Sequence, residues 1–169
     1  MEKLGEIEGV EYNGEKLCSA EPYAIELDDG RILAHIRIFN RIHDERNILT
    51  IYQSISSDGG KSWSKPEMLL DKRGGAPAHI IKHSSGALIS TYGRRIPPYG
   101  IRAMISFDNG KSWDTDLDIY SLSEDYPFAA DLGYPASVEL SDGSILTVFY
   151  SRQSDSSSVI LGQKWNFKK

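Results

Sequence analysis

The stretch SISSDGGKSWS at residues 54–64 returns fifty residues later as MISFDNGKSWD at residues 104–114. Both copies carry Ser-x-Asp-x-Gly-x-x-Trp, first on Ser56, Asp58, Gly60 and Trp63, then on Ser106, Asp108, Gly110 and Trp113. An aspartate of this kind accepts hydrogen bonds from turn amides, and a glycine supplies a backbone angle that other residues resist. A tryptophan just beyond them packs over the turn. These are the needs of a tight connection between strands, so the motif reads as a structural staple rather than a reactive device.

A second unit recurs around the first. YAIELDDGRILAHIR (23–37), AHIIKHSSGALISTYGR (78–94) and ASVELSDGSILTVFYSR (136–152) each set a polar-Gly turn between two apolar runs. Their turn glycines Gly30, Gly86 and Gly143 lie 56 and 57 residues apart. Asp-Gly or Ser-Gly between β-branched and aromatic flanks is a hairpin signal, and the spacing predicts a two-residue turn with the glycine at positive φ. Between hairpins, NILTIYQSIS (47–56) and GIRAMISF (100–107) lead into the Ser-x-Asp turns, and KPEMLL (65–70) and LDIYSL (117–122) leave them. Four strands per roughly 50 residues is the arithmetic of β-propeller blades. No stretch has sustained helical periodicity, so the expected class is all-β: a partial propeller of about three four-stranded blades, near residues 20–75, 76–130 and 131–169.

Composition narrows the function classes. The 169 residues are 40% hydrophobic and 25% charged, a globular balance, with a net charge of −5. That balance argues against a nucleic-acid partner, which would need a clustered basic face. No apolar run nears the roughly 20 residues that span a bilayer, and the charged start MEKLGEIEGVEYNGEK is no secretory signal. Cys18 is alone, which removes an internal disulfide and a cysteine-based metal site. No metal-ligand spacing or phosphate-binding glycine loop is present, so no cofactor is expected. The mixed-charge segment RIHDER (41–46) reads as a solvated loop.

The paired Ser-x-Asp turns, with AEPYAIELDDGRILAHIR, YGIRAMISFDNGKSW and DLGYPASVELSDGSILTVFY, resemble the sialidase (neuraminidase) superfamily, in particular bacterial exo-α-sialidase-like proteins with Asp-box (BNR) repeats. The resemblance implies a six-bladed propeller of which this chain looks like the C-terminal half, its ending VILGQKWNF similar to the family's closing strand. It implies retaining hydrolysis of a terminal sialic acid by a Tyr nucleophile paired with Glu, an Asp acid/base, and three arginines on the sugar carboxylate. By position, Tyr134 matches the nucleophile, Glu21 its partner, and Arg37 and Arg102 the second and third arginines. The first arginine and the acid/base have no counterpart, so the resemblance implies an incomplete site needing N-terminal blades or a second copy. The isolated chain is then expected to be inactive.

The internal repeat bears on the same residues. Nine positions before the three hairpin glycines stand Glu21, Pro77 and Tyr134. Equivalent strand-start positions in a radial array crowd toward one axis, which brings Glu21 and Tyr134 together. A neutral phenol suits an anomeric carbon that bears a carboxylate, and sialidases depart from the two-carboxylate rule. A phenol of pKa near 10 needs a base beside it, and forked guanidinium groups suit the substrate's carboxylate. Each residue also has a plain reading. Tyr134 is then a packed strand-start aromatic, Glu21 a surface acid, and Arg37 and Arg102 solvated strand ends or partners of nearby carboxylates. His79 is a pocket candidate or a structural histidine. Arg94 and Arg95 are rim candidates for sugar hydroxyls, and Asp125 and Asp131 are candidates to replace the missing acid. Two further functions stay open: a glycosidase of other sugar specificity, and a non-catalytic Asp-box propeller that binds glycan or protein.

Overall fold

The computed structural model describes residues 3–41, 47–71 and 74–168, with the backbone alone for Asp116. Residues 42–46 of the RIHDER segment lie outside the described residues. Every described element is a strand. A small hairpin, β1 (Glu11–Tyr12) and β2 (Glu15–Lys16), precedes the first sheet and has no counterpart in the repeat pattern. The first sheet runs β3 (Cys18–Glu26), β4 (Ile32–Phe39), β5 (Leu49–Ser56) and β6 (Glu67–Met68). The second runs β7 (Ala78–Lys82), β8 (Leu88–Arg94), β9 (Gly100–Ser106) and β10 (Asp114–Ser121). The third has β11 (Leu132–Glu139), β12 (Ile145–Arg152) and β13 (Ser158–Trp165). Among the described residues it holds three strands, not the four expected; past Trp165 the Phe167 ring packs on that of His83 at 5.0 Å instead of joining the sheet.

Each of the three repeated hairpins departs from the two-residue turn. Gly30, Gly86 and Gly143 donate to Leu27, His83 and Leu140 carbonyls at 3.0, 2.8 and 2.9 Å. The same three residues close a wider pair with Arg31, Ala87 and Ser144, which makes three-residue loops. A type I turn followed by one left-handed glycine has this form, and the glycines have φ of 80°, 84° and 78°.

The Ser-x-Asp turns are staples, joining β5 to β6 and β9 to β10. Ser56 Oγ accepts the Gly60 amide at 2.9 Å, and Asp58 takes the Ser62 amide and hydroxyl at 2.9 and 2.6 Å. Ser106, Asp108, Gly110 and Ser112 repeat the pattern. Hydrogen bonds from the Ser62 and Ser112 side chains, then from amides, hold Asp58 and Asp108 at about 2. The two tryptophans differ. Trp63 bonds back to its own turn, at Gly60 O, whereas Trp113 reaches into the first sheet and donates to Gln53 Oε1 at 3.0 Å.

Alternation along the strands buries one apolar row from each facing sheet. Leu33, Ile51, Ile80, Tyr92 and Met104 fill the space between the first and second sheets, and Ile89, Ile101, Ile145 and Phe149 that between the second and third. Leu33, Ile51, Ile89 and Ile101 are fully buried, each contributing about 1.5–3 kcal/mol. A buried histidine bridges the first of these seams. Buried His35 contacts Ser90 Oγ at 3.0 Å through Nδ1 and Gln53 Oε1 at 3.3 Å through Nε2. Burial pushes that imidazole down to about 3. It is therefore neutral, with Nε2 donating and Nδ1 accepting from the serine. Successive sheets thus lock with β3, β7 and β11 side by side, which decides where their starting residues meet.

Candidate active site

Glu21 and Tyr134 each sit where the pairing of a first strand slips. The register breaks between Ala20 and Tyr23 in β3, and between Gly133 and Ala136 in β11. Both residues have left-handed backbones, φ 47° and 49°, which cost an L-residue roughly 1–2 kcal/mol. Each precedes a proline, Pro22 and Pro135. Bulges re-aim side chains and cluster beside functional sites. Here they turn a carboxylate and a phenol, 113 residues apart in sequence, onto each other: Tyr134 Oη donates to Glu21 Oε1 at 2.6 Å.

Arg37 completes a triangle. Its Nη1 is 2.8 Å from Glu21 Oε2 and 3.5 Å from Tyr134 Oη, with the guanidinium over the Phe39 ring at 4.9 Å. Its position follows from register, because Arg37 on β4 lies opposite Ala20 on β3. Its Nε is buried and has no hydrogen-bond partner among the described residues. Burial alone would raise the Glu21 carboxyl, but the bonds from Tyr134 and Arg37 outweigh it and hold the group below its ordinary value. The phenol moves the other way. The bond to Glu21 raises it above the usual tyrosine value, burial adds to this, and the charges of Arg37 and Arg95 oppose it. In this resting pair the proton stays on oxygen of Tyr134, half of whose surface is exposed. A ligand drawing charge from the phenol would send that proton to Glu21.

The other candidates fall in different places. Arg102 does not join the pair. It lies on β9, the third strand of its sheet, opposite Asp118 of β10, and forms an ion pair with it. Its Nη2 donates to Pro98 O at 3.4 Å. The sheet's width separates it from the first strands. Arg94, at the end of β8, donates to Pro97 O at 3.5 Å. The next residue, Arg95, stands over the Tyr134 ring instead, its Cζ 5.6 Å from the ring centre. Close approach permits this, since a Cβ on Gly93 would lie 3.0 Å from Gly133 Cα. His79 Nδ1 accepts the Ser137 amide at 3.2 Å, and its ring meets Tyr23 at 4.4 Å. It thereby ties β7 to β11 and β3, and burial lowers its pKa.

Asp131 is engaged. Tyr150 Oη donates to its Oδ1 at 2.6 Å and Arg152 Nη1 to its Oδ2 at 3.1 Å. The bond from Tyr150 leads in holding this carboxyl below its usual value, the reverse of what a proton donor needs. Asp125 is exposed and its amide caps onto Ser123 Oγ at 3.3 Å. Sequence reasoning passed over Tyr150. Its signal was the hairpin register about Gly143, which sets it opposite Gly133, one residue before Tyr134. Among the described residues, no group of three or more His, Cys, Asp or Glu forms a metal-binding cluster.

No curated protein matches the chain. A protein of unknown function from Dyadobacter fermentans is similar at 25% identity and a TM-score of 0.70, over 89% of this chain and 38% of that one. A thermostable family-43 glycoside hydrolase shares the fold at 16% identity and a TM-score of 0.65, over 89% of this chain and 55% of that one. The chain therefore spans little more than a third and about half of those two proteins. Residues 4–147 match the BNR repeat-like domain, and the chain belongs to that family.

Proposed function

We propose that this chain is the part of a sialidase-like glycoside hydrolase that supplies its nucleophile. The observation that carries the reading is the 2.6 Å bond from Tyr134 to Glu21, with Arg37 at 2.8 Å from the same carboxylate. In the reaction the phenol oxygen attacks the anomeric carbon as its proton passes to Glu21, and the leaving-group oxygen departs with a proton from an acid outside this chain. Water then breaks the glycosyl–tyrosine bond, giving one proton back to that acid as Glu21 returns its own to the phenol. A neutral attacking group avoids the repulsion an anionic one meets at a carboxylated anomeric carbon. Arg37 offers that carboxylate a forked cation.

The family-43 hydrolase supports a glycosidase at the level of fold. The sheets are read as blades of a propeller, and further blades, from the same polypeptide or a second copy, complete it. The outer face of the third sheet favours this, because Val138, Val148 and Ile160 are 52, 38 and 73% exposed on it. The proton donor to the leaving group comes from those blades, since Asp131 is taken by Tyr150 and Arg152.

The test is a panel of fluorogenic sialosides, uronides and neutral glycosides, run with the isolated chain and with the longest polypeptide that contains it. Sialoside turnover confined to the longer protein, falling more than about 10³-fold in Tyr134→Phe, is expected. Undiminished turnover in that variant removes the nucleophile role. Turnover of uronides alone moves the specificity. A second reading, a module that binds acidic glycan without cleaving it, is favoured by the engaged state of Asp131. Saturable sialic-acid binding to the longer protein, without turnover, would select it.

A further inference from the structure

Building on the reading of Tyr134 as nucleophile, we propose that Arg95 is a positioning residue that fixes the Tyr134 ring and keeps a cation against its face, and that Tyr150 and Asp131 aim it. The Arg95 guanidinium is held at two points: Nε donates to Leu132 O at 2.9 Å and Nη2 to Tyr150 Oη at 3.1 Å. Tyr150 can accept that bond because its own proton goes to Asp131 at 2.6 Å, and Asp131 is braced by Arg152 at 3.1 Å. The Tyr150 ring lies 6.0 Å from that of Tyr134. A chain of four side chains thus runs from the third sheet's hairpin to the nucleophile.

Geometry separates the two arginines at the site. Arg37 bonds to Glu21 and holds the base. Arg95 is anchored by a backbone carbonyl and a phenol, neither of which neutralises it, and presents its charge to the aromatic face. Among the described residues, the charged and titratable groups around Tyr134 are Glu21 from β3, Arg37 from β4, Arg95 after β8 and Tyr150 from β12. Glu21 raises the phenol's pKa, while Arg37 and Arg95 pull it down. Negative charge that develops on the phenol during attack or departure is therefore met by a cation already in place, with no side chain to reorganise.

The experiment is a pH titration of the 169-residue chain carrying [¹³Cζ]tyrosine, with the Tyr134 line identified by its loss in Tyr134→Phe. Arg95→Gln is expected to raise the Tyr134 pKa by about one unit, a tenfold loss of phenolate at a given pH. Tyr150→Phe, which releases one anchor and keeps the charge, is expected to raise it by less. Arg95→Lys should recover most of the shift while changing the Tyr134 chemical shift, because the forked anchoring is lost. If Arg95→Gln does not fold, the other two variants carry the test. A folded Arg95→Gln with an unmoved Tyr134 line overturns the proposal, and an unmoved line in Tyr150→Phe overturns the aiming by Tyr150. No sugar enters this measurement. A shift in a protein that cleaves no glycoside refutes the nucleophile reading alone, and an active protein without the shift refutes the role of Arg95 alone.

Discussion

Glu21 and Tyr134 occupy the same bulge in two different sheets. Each stands nine residues before its hairpin glycine, each is left-handed, each precedes proline, and they meet at 2.6 Å. A repeat built for packing has been given two unlike side chains at one repeated irregularity. The backbone strain is thus spent where the side chains converge, and the regular parts of the strands carry the stability.

The pair sets an expected pH profile. Tyr134 and Arg37 hold Glu21 below its ordinary value against burial, and Glu21 holds the Tyr134 phenol above its own. Between the ordinary carboxylate and phenol ranges the pair keeps one protonation state. The kcat/KM of the active protein should show no inflection from either group from about pH 5 to 9. An acid limb near pH 6 that disappears in Glu21→Gln would contradict this.

The Asp-box carboxylates make stability fall in acid. Asp58 and Asp108 are depressed from 3.8 to about 2 by serine hydroxyls and amides. A carboxylate with a lowered folded value stabilises above its unfolded value and loses that stabilisation as pH falls through the folded one. The urea-midpoint advantage of wild type over Asp108→Asn should be full at pH 5 and shrink from about pH 4 toward pH 2. An advantage constant with pH would show that the charge is not responsible.

His35 adds an earlier acid limb. Its folded value of about 3, set by burial, lies below the ordinary 6.5, so between those values the unfolded chain binds the extra proton. Stability should therefore fall as pH drops below 6.5, continuing toward 3. His35→Phe should flatten that limb while lowering stability at pH 7 by about 1–3 kcal/mol, through an unpaired Ser90 hydroxyl, since Gln53 keeps its bonds to Trp113 and Gly110. Chemical denaturation of both proteins at pH 7, 6 and 5 measures the difference, and parallel curves would sink it.

Two glycines separate backbone strain from crowding. Gly30 and Gly110 share φ 80°, but a Cβ on Gly30 meets open space whereas one on Gly110 overlaps Leu33 Cδ1. Gly30→Ala should cost about 1–2 kcal/mol for the left-handed backbone. Gly110→Ala should cost about 1–3 kcal/mol more, for overpacking. Equal losses in thermal denaturation would show that Leu33 moves freely.

The four strands of each of the first two sheets, the hairpin positions and the Asp-box staples were legible because each rests on neighbours in sequence: alternation, a left-handed glycine, an aspartate within reach of its own turn. The repeat even marked Glu21 and Tyr134 as equivalent. The turns' true length was less legible, because two-residue and three-residue loops share an Asp-Gly signature. Arg102 and Arg95 mark the boundary more sharply. Both are arginines near the second sheet's strand ends, and the resemblance favoured Arg102, which the third strand carries away to Asp118.

By itself, then, the sequence determined a repeating all-β chain with stapled turns and two special strand starts, since short-range sterics and hydrogen bonds decide such features. Only the tertiary structure decided which arginine attends the phenol, that Asp131 is bound to Tyr150 and Arg152, and that Trp113 bridges sheets while Trp63 stays home. Those contacts join residues far apart in the chain. They depend on how far one strand lies from another and how closely Gly93 and Gly133 approach, distances that no local pattern encodes.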